Sequence, residues 1–167
     1  MSTPVSAELL EEYPRALFEA VRAVYADWLR SRAEQIAGSA GRVLTTEERE
    51  SLGSAVGAST DVMSNGLRAL LATDVDDQRH NPLHVLRVSS RPVTDFLRSL
   101  GLQAPVRDEF ETRAMPDDVY AIGPLTWLDL GEAVHEAGIS WGAWKAATEL
   151  TRRRAEGVRR ESEGGAG

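Results

Sequence analysis

The chain has 167 residues, 42% of them hydrophobic, and a net charge of −7, values that are typical of a single globular domain. It contains no cysteine, which excludes disulfides, thiolate metal sites and cysteine nucleophiles. The first residues lack a basic stretch followed by an apolar run, and no window approaches the ~18 apolar residues that span a bilayer. We therefore expect a cytoplasmic protein with neither a signal peptide nor a membrane span.

The charge is distributed unevenly along the chain. The basic residues are 18 arginines and one lysine, Lys145, a bias that indicates a high-GC genome. Within residues 151–167, five arginines stand against three glutamates, a balance of +2 that leaves −9 for the rest of the chain. Because an acidic body repels phosphate backbones, nucleic acid is disfavoured as a partner, and the basic C-terminal end is the only stretch suited to such a contact.

Two long amphipathic helices are predicted first. From about Val5 to Ala37, apolar residues recur at steps of three and four, and Pro14 places the start of the regular helix near Tyr13. The second helix begins after Thr45, which forms a capping-box pattern with Glu48, and extends to about residue 72. One side of this helix consists of small residues, which predicts close approach by another helix: Gly53, Ser54, Gly57, Ala58 and Ser64.

An acidic stretch and two shorter helices follow. Asn81-Pro82 predicts a helix start, Ser89-Ser90-Arg91-Pro92 a break and restart, and Gly101 the end of the restarted helix. His80 and His84 are four residues apart, a spacing that can bind a metal, and aspartates precede them at positions 74, 76 and 77. A solvated interhelical loop is the favoured interpretation, because Asn81-Pro82 separates the two histidines. A metal site is the alternative.

The last third of the chain is predicted to form short elements separated by proline and glycine. A helix is expected from Pro105 to Ala114, and Asp117 is expected to cap the turn that follows. A short piece that contains His135 is expected between the glycines at 131 and 138, and Ser140 is expected to cap the last helix. Residues 161–167 are polar and rich in glycine, which predicts a disordered tail.

The predicted fold is all-α, because no stretch alternates apolar and polar residues as a half-buried strand does. A long N-terminal helical pair, about residues 5–72, is expected to pack with a set of shorter C-terminal helices, about residues 81–160. We expect residues 1–160 to form one domain, since no linker or internal repeat divides them.

Candidate functional residues concentrate in the C-terminal half. Trp and Arg are favoured anchors at protein interfaces, and aromatic and charged side chains together give a candidate interaction surface: Trp127, Trp141, Trp144, Tyr120, Arg113, Asp117 and Asp118. For the tryptophans, a role in the core is the favoured interpretation. The carboxylates can act as a general acid and base if burial separates their pKa values, but pairing with arginine or helix capping explains them without a substrate.

No motif predicts a catalytic or cofactor site. HExxH is absent around His135, as are the GxSxG elbow and the glycine-rich phosphate loops GxxxxGK[ST] and GxGxxG. We therefore predict no catalytic residue, metal or cofactor, and a non-catalytic regulatory or accessory module that acts through protein–protein contacts, a homodimer among them. The alternative is a small enzyme or a ligand- or metal-binding domain that uses carboxylates and histidines of the C-terminal half.

Three stretches carry a resemblance to a known group of proteins: NPLHVLR at 81–87, VRDEFETRAMPDDVYAIGP at 106–124 and WGAWKA at 141–146. They resemble a family of small actinobacterial helical proteins of uncharacterised function. The resemblance covers the C-terminal half and implies a cytosolic protein of a high-GC bacterium. It brings no activity and no site residue with it.

Overall fold

The structure, a computed structural model, describes residues 12–72, 82–114 and 116–165. Within these ranges the chain is helical and contains no strand, so the all-α prediction is confirmed. The elements are α1 (Glu12–Ser39), α2 (Thr46–Ala72), α3 (Pro82–Ser89), α4 (Arg91–Ser99), α5 (Glu109–Ala114), a 3-10 turn (Trp127–Leu130) and α6 (Glu132–Gly164). None of these helices is both long enough and apolar enough to cross a membrane.

The N-terminal helices α1 and α2 form the long pair that the sequence predicts. Pro14 is the third residue of α1, in the first turn, where a missing backbone N–H breaks no intrahelical hydrogen bond. The capping box of α2 is confirmed: the Thr45 N–H donates to Glu48 Oε2 at 2.9 Å, and the Glu48 N–H donates to Thr45 Oγ1 at 3.1 Å. The part of the first predicted helix before Glu12 lies outside the described residues.

The core lies between α1, α2 and the two helices that follow. Every fourth residue of α1 is buried along one stripe, which faces apolar residues of α2. The stripe comprises Leu17, Val21, Tyr25, Leu29, Ala33 and Ala37, and the buried α2 residues include Leu52, Val56, Met63, Leu67 and Leu71. Helices α3 and α4 pack on α2 and add Leu86, Val93, Phe96 and Leu97 to this core.

The small-residue side of α2 does not receive a helix. A Cβ atom added at Gly53 or Gly57 would meet nothing within 4 Å, so the prediction of close approach there is wrong for the described residues. The close approach is at Gly66, where an added Cβ would lie 3.1 Å from Val85 Cγ1 of α3. Gly53 and Gly57 therefore lie on a side of α2 that faces away from the other described helices.

The predicted helix from Pro105 to Ala114 is shorter in the structure. Residues 102–108 form no helix or strand, and α5 begins only at Glu109. The Arg107 guanidinium donates to the Asp118 carbonyl at 2.8 Å, which fixes the chain just before α5 to a loop instead of to a helical turn. The two apolar side chains on which the longer helix was predicted, Val106 and Phe110, are exposed.

Helix α6 is a single element of 33 residues, although the sequence predicts a break near the glycine at 138 and a new start at Ser140. The longest helix therefore lies in the half that was predicted to contain only short ones. Its first half packs on α1 and on the 3-10 turn. Every residue from Leu150 to Gly165 is exposed, and the helix continues through Gly164, into the stretch for which the sequence predicts disorder.

Candidate functional site

A loop at 116–124 is organised by one buried carboxylate. Asp118 is only 5% exposed, and its Oδ1 and Oδ2 accept hydrogen bonds from the backbone N–H groups of Ile122 and Gly123, both at 2.8 Å. The sequence prediction assigned this capping role to Asp117, which is exposed. That prediction is wrong, because only the second aspartate is directed at the orphan amides of the turn.

Arg87 of α3 closes this loop from one side. Its Nε donates to the Pro124 carbonyl at 3.2 Å, and a Cβ atom at position 123 would lie 2.6 Å from Arg87 Cγ. Only glycine therefore fits between the arginine and the carboxylate of Asp118. Partial burial lowers the pKa of Arg87, and the nearby charge of Asp118 acts in the opposite direction.

Two side chains of α1 hold the same loop from the other side, and a third bonds to the adjoining helix α3. The Tyr25 hydroxyl donates to the Leu86 carbonyl at 2.8 Å, Trp28 Nε1 donates to the Ile122 carbonyl at 3.1 Å, and Arg32 donates to the Ala121 carbonyl at 2.8 Å. Burial raises the pKa of Tyr25, and the charge of Asp118 raises it further. The phenol therefore stays protonated, as the hydrogen bond that it donates requires.

The residues of the predicted interaction surface do not all share one exposed face. Tyr120 is 3% exposed and donates from its hydroxyl to the Leu102 carbonyl at 2.7 Å, and Asp118 is buried in the loop. Neither residue is accessible to a partner in this conformation. Arg113 and Asp117 are exposed.

The tryptophans fasten α6 to the rest of the protein. Trp144 stacks on Tyr13 of α1, with ring centroids 6.1 Å apart and planes 25° apart. Trp127 lies against the residue at position 138, where an added Cβ would come within 2.5 Å of its ring. Trp141 packs against the core, with a buried Nε1 that has no partner among the described residues. All three rings are half-buried, so each tryptophan contacts the rest of the protein with one part of its ring and solvent with another.

The histidines are not assembled into a metal centre in the part of the chain that the structure describes. His84 is exposed on α3 and His135 is half-buried on α6, and the described residues contain no group of three metal-ligating side chains. The metal site considered for His80 and the aspartates at 74, 76 and 77 lies outside the described residues.

The second half of α6 is a surface in its own right. We call residues 150–164 the α6 arm; each is exposed, and an ion pair between Glu149 and Arg153 lies at its base. Its large apolar side chains, Leu150 and Val158, are 50% and 66% exposed. The sequence indicated the positive charge of this stretch, but not that it extends as a continuous, exposed helix.

A further feature that sequence reasoning missed is a cleft of about 100 Å³ where α3 and α4 meet the loop. We call it the α3–α4 cleft. It brings together side chains that are distant in sequence, so no local pattern announces it. Its lining consists of His84, Arg87, Val88, Ser90, Arg91, Thr94, Pro116, Asp117 and Asp118.

Comparison of the chain with protein-family models, with curated proteins and with solved structures gives no match.

Proposed function

We propose that the chain is a helical module without catalytic activity that acts through protein–protein contact, with the α6 arm as its binding element. The observation that carries the proposal is that α6 is packed over its first half and exposed on all sides over its second. At 1.5 Å per residue the arm is roughly 20 Å long. Helices of this length are only marginally stable in water on their own, so a partner that packs on the arm would stabilise it.

We propose a second copy of the same chain as that partner. The arm carries five arginines and three glutamates, a charge of +2, and the rest of the chain carries −9. The arm of one copy and the acidic body of another therefore attract each other, at a strength that depends on salt. Leu150 and Val158 supply apolar surface, each worth about 1.5–3 kcal/mol if fully buried at the contact. In the assembled form, the module would serve as a regulatory or accessory subunit in the cytosol.

Light scattering of the full chain, from dilute to concentrated solution, tests the proposal. We expect the mass to rise above the 18.2 kDa of one chain towards twice that value, and to fall again at high salt. The double variant Leu150→Ser, Val158→Ser should remain at the mass of one chain. Val62→Ser, which changes a valine of α2 that is 48% exposed, is the matched control and should associate as the wild type does. A full chain that keeps the mass of one chain at every concentration contradicts the proposal, as does a double variant that still associates.

A second candidate function, a domain that binds a small ligand, is favoured by the α3–α4 cleft.

A further inference from the structure

One side of α6 is exposed from its first turn to its last. Ile139, Ala143, Ala146 and Leu150 follow one another at steps of four, three and four residues, so their side chains lie on the same side of the helix. All four are exposed, Ile139 at 58% and Leu150 at 50%. Val134, which is fully buried, lies on the far side, towards the core. We call the four exposed residues the α6 seam, an apolar surface that the core leaves open.

The α6 seam is flanked by opposite charges. Glu136 lies three residues before Ile139, and Arg154 lies four residues after Leu150, so both belong to the seam side of the helix. Both are exposed, and neither makes an ion pair among the described residues. Residues 132–140 contain two acids and no lysine or arginine, whereas the α6 arm carries five arginines and three glutamates. The start of α6 is therefore negative and its arm positive.

The α6 seam and its flanking charges are complementary to themselves. At 1.5 Å per residue, the midpoint of the seam lies about 8 Å along the helix from both Ile139 and Leu150, about 13 Å from Glu136 and about 14 Å from Arg154. A two-fold axis beside this midpoint, perpendicular to the helix, therefore places Ile139 opposite Leu150 of a second copy. The same axis brings Glu136 beside Arg154 of that copy. A different partner needs only one half of this arrangement, so the presence of both halves favours an isologous contact with a second copy.

We propose that two copies of the chain associate through an antiparallel pair of α6 helices, in which the arm of each copy lies along the first half of α6 in the other. This inference rests on the proposed function and names the surface that receives the arm. Ile139 packs on Leu150 of the partner, and Glu136 forms an ion pair with Arg154 of the partner. Each contact occurs twice, because the two-fold axis repeats it.

Two features of α6 fit an antiparallel pair. Glu136 and Arg154 are 18 residues apart, about five full turns, so they project at the same angle around the helix and meet at the same edge of the pair. Ala143 and Ala146 lie at the centre of the seam, where their small side chains let the two helix axes approach to about 8 Å. The exposed apolar side chains and the exposed charges are thus covered by the same contact.

Exchange of charge across the pair tests this contact, with the dissociation constant of the full chain measured by light scattering over a concentration series at low salt. We expect Glu136→Arg to weaken association by about tenfold or more, because each of the two symmetric ion pairs becomes a repulsion. Arg154→Glu should weaken association by a similar factor. The double variant Glu136→Arg, Arg154→Glu restores both ion pairs with exchanged signs and keeps the net charge of the wild type. It should associate within about threefold of the wild type.

Arg159→Glu is the matched control, because it makes the same charge change in the arm at about 140° around the helix from Arg154. We expect Arg159→Glu to weaken association less than Arg154→Glu does. Combined with Glu136→Arg, it should not restore association, since the two positions do not meet in the pair.

Introduced cysteines establish the relative direction of the two helices, since the chain has no cysteine of its own. A mixture of Ile139→Cys and Leu150→Cys should form a disulfide-linked dimer under mild oxidation, visible on a non-reducing gel. Neither variant should do so alone, because its two cysteines would lie about 16 Å apart along the helices. A disulfide spans at most ~7 Å between Cα atoms. A cross-link in either variant alone would indicate a parallel pair and overturn the inference.

The inference and the proposed function fail in different ways. A wild type that keeps the mass of one chain at every concentration contradicts both. If the wild type associates but the double charge exchange does not restore association, or the cysteine mixture gives no cross-link, the antiparallel α6 pair is overturned. The arm then binds another part of the acidic body, and the proposed self-association stands.

Discussion

Replacement of Asp118 by asparagine is the sharpest test of how the loop at 116–124 is held. In the wild type, both carboxylate oxygens accept a backbone N–H at 2.8 Å, in a site that is 5% exposed. An asparagine keeps one acceptor and turns an amide NH₂ towards the second N–H. One charge-assisted bond, worth about 1.5–3 kcal/mol, is lost and a buried donor is left unpaired. We expect a total loss of about 2–4 kcal/mol in the free energy of unfolding.

Asp117→Asn is the matched control, because it removes the same charge from the adjacent, exposed residue. Its effect should lie within about 0.5 kcal/mol of the wild type. Urea unfolding followed by tryptophan fluorescence measures both variants. If Asp118→Asn and Asp117→Asn have the same stability within about 0.5 kcal/mol, the carboxylate does not organise the loop and the reasoning is refuted.

Three further predictions concern the scaffold. Gly142→Ala should stabilise α6 by up to ~1 kcal/mol. Gly138→Ala should destabilise the protein by about 1 kcal/mol or more, because the added Cβ would lie 2.5 Å from the Trp127 ring. Thermal unfolding of the two variants should therefore give Tm shifts of opposite sign. Ser59→Ala should raise the free energy of unfolding by about 1 kcal/mol in chemical denaturation. The buried hydroxyl that it removes has no hydrogen-bond partner among the described residues. A fall in stability would mean that this hydroxyl does form a hydrogen bond in the folded protein. The pKa of Glu48 is lowered from 4.5, first by the hydrogen bond from the Thr45 N–H and then by the Arg42 guanidinium. The contribution of Glu48 to stability is therefore present above about pH 4.5 and is lost as pH falls through the lower pKa of the folded state. Glu48→Gln should show a smaller drop in Tm on acidification than the wild type, and an unchanged drop would contradict this.

The parts of the fold that the sequence predicted are those in which the cause is local. The capping box joins Thr45 to a residue three positions away, and Pro14 is placed by its own missing N–H. The start of α3 at Pro82 follows from the same rule. In each case the residues that decide the structure are neighbours in the chain, so a single stretch of sequence contains the whole explanation.

The parts that sequence reasoning missed have causes that are distant in the chain. The glycine at 138 predicts a helix end, but it lies within α6. A tryptophan ring 11 positions earlier leaves no space for a Cβ there, so the glycine is explained by packing and not by a turn. Asp117 and Asp118 are indistinguishable by type, and only the path of the loop decides which one binds the amides. The cleft depends in the same way on the meeting of α3 and α4 with residues 116–118, which no spacing in the sequence expresses.

The exposure of the α6 arm affects how the unfolding of this protein is observed. The four tryptophans, at 28, 127, 141 and 144, all precede the arm, so fluorescence reports on the packed body alone. Far-ultraviolet circular dichroism also counts the helical residues of the arm. We expect them to melt independently, because every one of them is exposed and none belongs to the core of the described residues. The two signals should therefore have different transitions in an otherwise two-state protein. A difference between the fluorescence and circular dichroism transitions would then report the unfolding of the arm while the body is still folded, and not a folding intermediate of the body.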